Sequence, residues 1–191
     1  MSSKAQNSVP EINRLVIVGL GLIGSSLAIA AREQGLAKTV IGISRRTSTL
    51  ELALELGVID RACESVELLA SELDFGDLVV IGVPTLSVPS VIAVCHDFLS
   101  DRVTITDVAS VKGSVVKAVL DIYGNLPVQF VPGHPIAGSE KSGVEAANSQ
   151  LFKDHRVILT PHNTADCEHL NLVSAVWSSV AVSYTHLTLP T

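Results

Sequence analysis

The chain has 191 residues, 47% of them hydrophobic, with a formal net charge of −6 and a pI near 5.4. That length holds one full domain and part of another, the apolar content argues against disorder, and an acidic chain without a basic run offers no nucleic-acid surface. Cys63, Cys95 and Cys167 are widely spaced and form no Cys-x-x-Cys pair, so reduced thiols in a cytoplasmic protein are expected.

Residues 1–13 read as a flexible lead-in. Arg14 to Val18 (RLVIV) is a short β-branched run, expected as a strand buried on both faces. Glycines follow, then Ile23 to Gln34 has helical composition and ends near Gly35. Taken whole, Leu15 to Ala31 suggests a signal sequence or membrane span. Glycines and serines interrupt it, and it falls short of the ~20 apolar residues a spanning helix needs. Thr39 to Ile43 is the next strand. Ser48-Thr49-Leu50-Glu51 matches a capping box and predicts a helix to about Leu56, stopped by Gly57. Asp77 to Val83 and Val103 to Thr106 read as further strands, with a helix over Leu86 to Leu99 between them carrying Pro89 near its first turn. Val111 to Tyr123 is another helix, and Phe130-Val131 and Val157 to Leu159 are short strands. This alternation predicts βαβ units: an α/β domain over residues 14–164 with a doubly wound, mostly parallel sheet.

Leu170 to Val182 reads as an amphipathic helix containing Trp177, assigned with residues 165–182 to the start of a helical domain. Residues 183–191, SYTHLTLPT, break that pattern and resemble translated sequencing-adapter sequence. The native frame is expected to continue past Val182, and the tail to be non-native.

Two motifs carry the chemistry. GLGLIG, Gly19 to Gly24, directly follows a predicted strand and opens a helix, the context that the dinucleotide fingerprint of a Rossmann-type domain requires. Gly19 permits the tight turn, Gly21 the approach of a pyrophosphate and Gly24 close helix–strand packing, while Leu22 and Ile23 begin a helix whose free N–H groups attract phosphate. About 20 residues further on, where an acidic residue reads a ribose 2′-OH, stand Ser44, Arg45 and Arg46. Ser44 repels no phosphate and two guanidinium groups suit a dianion, so NADP is favoured and NAD remains possible. The alternative is that Arg45 and Arg46 are solvated surface charges. The second motif, Pro132 to Ala147 (PGHPIAGSEKSGVEAA), is too rich in glycine and proline for helix or strand. It is expected as an ordered polar loop of the kind that carries function.

GLGLIGSSLA, TDVASVKG (Thr106 to Gly113), GHPIAGSEKSG and ILTP (Ile158 to Pro161), in this order and rough spacing, resemble the prephenate/arogenate dehydrogenase family of tyrosine biosynthesis. The resemblance runs from about Leu15 to Val182. It implies oxidative decarboxylation of prephenate or arogenate, with hydride passing to NAD(P)+. It implies His134 as the catalytic acceptor of the ring-hydroxyl proton, a task that suits an imidazole near neutrality. It also implies Ser110 as a hydrogen-bond partner of substrate or histidine that helps place the nicotinamide. The other reading of Ser110 is a helix N-cap for Val111 onward, and the two roles are compatible. Ser139, Glu140 and Lys141 fall in the loop that shapes the family's substrate pocket, with a solvated surface the alternative for Glu140. Val83 and Pro84 are expected beside the nicotinamide ribose, or simply in packing. Lys112 either orients a phosphate or carboxylate or is an exposed lysine.

Family members continue into an all-helical domain that forms a homodimer and supplies an arginine and a histidine to the substrate carboxylate. Without such a domain, the alternative from another class is a non-catalytic dinucleotide-binding fragment. His155, His162 and His169 recur every seven residues, but Pro161 interrupts any common helix and no ligand-spaced Cys or carboxylate accompanies them. No metal site is expected.

Overall fold

The computed structural model describes residues 12–138, 140–161, 167–181 and 183–186. In chain order the strands and helices are β1 (Ile12–Val18), α1 (Leu22–Glu33), β2 (Ala37–Ile43), α2 (Thr47–Glu55), β3 (Arg61–Cys63), β4 (Leu78–Ile81) and α3 (Val88–Phe98). There follow β5 (Thr104–Asp107), α4 (Lys112–Tyr123), β6 (Phe130–Val131), β7 (Gly133–Pro135), β8 (Arg156–Leu159), α5 (Cys167–Val180) and β9 (Ser183–His186). Six strands pair in parallel in the order β3-β2-β1-β4-β5-β6. This is the doubly wound order whose direction of winding reverses between β1 and β4.

The period-two pattern of β1 explains why it lies in mid-sheet. Leu15 and Ile17 point into one apolar cluster with α1, α2 and α5, while Val16 and Val18 point into the other with α3 and α4. Each such side chain, once buried, contributes roughly 1.5–3 kcal/mol. The apolar stretch from Leu15 to Ala31 is therefore a strand followed by a helix. No described helix is long and apolar enough to cross a membrane.

Several expectations change. Ile12 and Asn13, placed in the flexible lead-in, belong to β1, and Ile12 is fully buried. The capping box does not form. α2 begins at Thr47, its N-cap is Arg46 and no side chain caps it; Ser44 Oγ instead accepts the Arg46 N–H at 3.2 Å. Starting the helix one residue early puts Ser48 inside it, where its hydroxyl cannot serve as a cap. The helix still ends before Gly57, whose φ of +65° suits glycine.

The polar segment is not all loop. Gly133–Pro135 form β7, an edge strand antiparallel to β8, and β9 pairs parallel on the far side of β8. Proline is tolerated there because an edge strand leaves one row of N–H positions unused. Val173, Val176 and Trp177 of α5 are buried in the same cluster as α1, and Trp177 meets Phe152 edge-on at 5.3 Å. The boundary expected between residues 164 and 165 lies outside the described residues.

Candidate dinucleotide and proton-transfer site

β1 ends at Val18 and the chain turns through Gly19, with φ +101°, into α1. Glycine is required there twice over, because a Cβ would stand 2.8 Å from the Gly82 carbonyl carbon and oxygen. Gly82 in turn donates its N–H to Val18 O at 2.7 Å, so the ends of β1 and β4 are drawn together at the switch point. At Gly24 a Cβ would meet Gly19 O at 2.5 Å, which seats α1 hard against the turn. At Gly21, the N-cap, nothing lies within 4 Å, so the backbone is open to a ligand.

Leu22 and Ile23, in the first turn of α1, are half-buried. With Gly24 they present N–H groups that have no partner inside the helix. Ser25 is fully buried, and its Oγ has no hydrogen-bond partner among the described residues. An open N-cap glycine, a helix N-terminus and an orphaned hydroxyl form an arrangement that fits a dinucleotide pyrophosphate. Val83 is half-buried beside Gly19, and Pro84 is exposed after it. Ser44 is half-buried at the end of β2, with Arg45 and Arg46 exposed on the same edge.

Two strands away from β1, the last residue of β5 is Asp107, fully buried. Its carboxylate pairs with the Lys112 ammonium and accepts the N–H groups of Ala109 at 3.0 Å and Gly133 at 3.3 Å. The Lys112 ammonium also donates to the Gly133 carbonyl. Burial pushes the Asp107 carboxyl up and the Lys112 ammonium down from their ordinary ranges, and their mutual attraction opposes both shifts. Lys112 is thus not the exposed lysine that was one reading of the sequence: its side chain is 13% exposed and engaged by Asp107.

Gly133 packs against β5 so closely that a Cβ would lie 2.8 Å from Asp107 O. His134 follows at once, half-buried between the buried Gly133 and Pro135. Its imidazole is held below its ordinary pKa near 6.5, first by burial and then by the Lys112 charge, with Asp107 acting the other way. A neutral imidazole at this position can accept a proton at neutral pH.

Ser110 is exposed in the turn between β5 and α4 and is not the helix N-cap, which is Val111. Its hydroxyl is therefore spared for other partners. Glu140 and Lys141 are exposed in the segment after β7, while Ser139 lies outside the described residues. Of the recurring histidines, His155 is exposed and bonded to Lys153 O at 2.8 Å, His169 is buried against Thr104 Oγ1 at 2.7 Å, and His162 lies outside the described residues. Asp107 was not singled out in the sequence. The available signal was an aspartate ending an apolar strand, a residue that must find a partner once buried.

Known proteins resemble this chain in both sequence and fold. The family described as prephenate dehydrogenase, nucleotide-binding domain, matches residues 27–185, beginning inside α1 just after the glycine turn. A cyclohexadienyl dehydrogenase of Zymomonas mobilis is 34% identical over 167 residues, 87% of this chain and 55% of the relative. A prephenate dehydrogenase of Bacillus subtilis is 38% identical over 155 residues, 80% of this chain and 40% of the relative. The chain thus spans about half the length of the curated relatives it matches. Among solved structures, the Aquifex aeolicus prephenate dehydrogenase in complex with hydroxyphenyl propionate and NAD+ superposes with a TM-score of 0.83 at 32% identity, covering 93% of this chain and 60% of that one. An arogenate dehydrogenase of Synechocystis gives 0.77 at 31% identity, covering 92% and 59%. With the family matched over most of its length, this chain belongs to the prephenate dehydrogenase nucleotide-binding domain family.

Proposed function

We propose that this chain forms the cofactor-binding and proton-accepting half of a prephenate dehydrogenase, which oxidises and decarboxylates prephenate to 4-hydroxyphenylpyruvate in tyrosine biosynthesis. The observation that carries the reading is His134, held at the carboxyl edge of the sheet by the ion pair of Asp107 and Lys112, two strands from an open glycine turn. A nicotinamide dinucleotide supplies the hydride acceptor. Gly19, Gly21 and Gly24 admit its pyrophosphate to the N-terminus of α1, and Val83 and Pro84 lie on the side expected for its nicotinamide ribose. His134 takes up the proton of the ring 4-hydroxyl, with Ser110 steering that hydroxyl. As carbon dioxide leaves, the ring becomes aromatic, which makes the step effectively irreversible. Ser139, Glu140 and Lys141 shape the substrate side of the site.

The preferred dinucleotide is NADP+, since Ser44 leaves room for a 2′-phosphate and Arg45 and Arg46 stand beside it. Arogenate is the second substrate reading, favoured by the similarity to the Synechocystis arogenate dehydrogenase. The complete enzyme is expected to be a cytoplasmic homodimer completed by a helical domain. Calorimetry with NADP+ and NAD+, alongside assays of prephenate- and arogenate-dependent dinucleotide reduction, tests these readings. Reduction with release of carbon dioxide supports the enzyme. Dinucleotide binding without turnover of either substrate favours the binding-fragment reading, and absence of dinucleotide binding refutes both.

A further inference from the structure

We propose that Lys112 is a positioning residue for His134: seated on the Asp107 carboxylate, its ammonium grips the Gly133 carbonyl and so sets where the next residue's imidazole stands. One ion pair holds both polar groups of a single residue, because the carboxylate accepts the Gly133 N–H while the ammonium takes its carbonyl. The absent side chain at Gly133 makes this possible, since a Cβ would collide with Asp107 O.

On its other edge β7 is fixed to β8. Ile136 N–H donates to Arg156 O at 2.8 Å and Thr160 N–H to Pro132 O at 3.0 Å. His134 is therefore held from two sides, one of them ionic. A buried ion pair is weak evidence for stability, because desolvation offsets most of its attraction. At this place in the fold its clear product is the position of β7.

The same pair acts on the imidazole through space. Lys112 on α4 lowers its proton affinity and Asp107 on β5 raises it. Arg156 on the paired strand β8, and Glu140 and Lys141 beyond β7, are the exposed charges nearby in sequence or register. Lys112 thereby helps keep His134 unprotonated and able to accept a proton.

The inference rests on His134 being the proton acceptor, but its test needs no substrate and so stands apart from whether prephenate is turned over. The His134 imidazole is titrated by NMR in the 191-residue chain, its signal identified by its loss in His134→Asn. Exchange of the Ile136 amide is followed in the same samples. Lys112→Met is expected to shift the His134 midpoint upward and to speed Ile136 exchange. Lys112→Arg, which keeps the charge, is expected to restore both. Should Lys112→Met fail to fold, the paired variant Asp107→Asn/Lys112→Met removes the ion pair without stranding a buried charge. It is expected to shift the midpoint in the same direction and to loosen β7. A midpoint and exchange rate at wild-type values in the folded Met-containing variant would overturn the proposal, as would a Lys112→Arg variant that shifts as far as Lys112→Met.

Discussion

Two aspartates are buried at opposite edges of the same sheet, and they are used differently. Asp77, just before β4, accepts the Arg14 N–H at 2.8 Å, the Asp74 N–H at 2.9 Å and the Arg14 guanidinium at 3.0 Å. The two bonds from Arg14 tie the amino ends of β1 and β4 together, the bond from Asp74 closes the turn before β4, and the arginine partner stays 36% exposed. Asp107, at the carboxyl end of β5, is paired instead with a lysine whose side chain is only 13% exposed, and together they fasten β7. Open α/β sheets bind ligands at their carboxyl edge. The same residue type thus ties strands at one edge and, at the other, braces the strand that carries His134.

The largest effect is expected of His134→Asn, at the carboxyl edge. Loss of a positioned proton acceptor typically costs about 10²–10⁴ in rate, while stability and dinucleotide affinity are expected to hold, since the asparagine occupies a half-buried edge-strand position. Assays of prephenate-dependent dinucleotide reduction, with denaturation curves of the same variant, check it. Because burial and Lys112 depress the imidazole pKa, the acid limb of wild-type kcat/KM is expected below pH 6.5. A nearly unchanged kcat in the variant removes His134 from the chemistry.

A pair of substitutions tests the two edges directly. Asp107→Asn strands the Lys112 ammonium in a site with little access to water, and breaking a buried pair from one side costs about 3–5 kcal/mol. Asp77→Asn loses charge-assisted hydrogen bonds worth about 1.5–3 kcal/mol, but the half-exposed Arg14 can turn to solvent. Urea denaturation is expected to rank Asp107→Asn as the more damaging. Dinucleotide affinity is expected to survive in folded Asp77→Asn. Equal costs, or lost affinity at Asp77, would erase the distinction between the edges.

These edges were unequally legible in the sequence. β1, β2, β4 and β5 announce themselves as apolar runs because they are buried on both faces, and the glycine turn is legible because its spacing is set by backbone contacts at Gly19 and Gly24. β3 is three residues long at the sheet edge, with only Cys63 buried, and leaves almost no hydrophobic signature. β7 is masked by the glycine and proline that make it possible: Gly133 for its approach to Asp107, Pro135 because the strand is an edge. The buried role of Lys112 was hidden for another reason. An ion pair across five residues looks the same in sequence whether it faces water or the core, and only the fold of β7 over it decides.

The smallest effect is expected at the far end of the carboxyl edge, beside β2. Arg45 is exposed, so its attraction to a 2′-phosphate is screened by solvent and salt. Arg45→Ala is expected to weaken NADP+ binding by roughly tenfold, about 1.4 kcal/mol, and NAD+ binding hardly at all, because NAD+ offers no phosphate there. Calorimetry at two salt concentrations separates the possibilities. A loss confined to NADP+ that shrinks as salt rises assigns Arg45 to the 2′-phosphate. An equal, salt-insensitive loss for both dinucleotides assigns it to the adenine face, where a planar guanidinium stacks. In that case neither Arg45 nor Ser44 selects between the two cofactors, since an uncharged serine excludes neither.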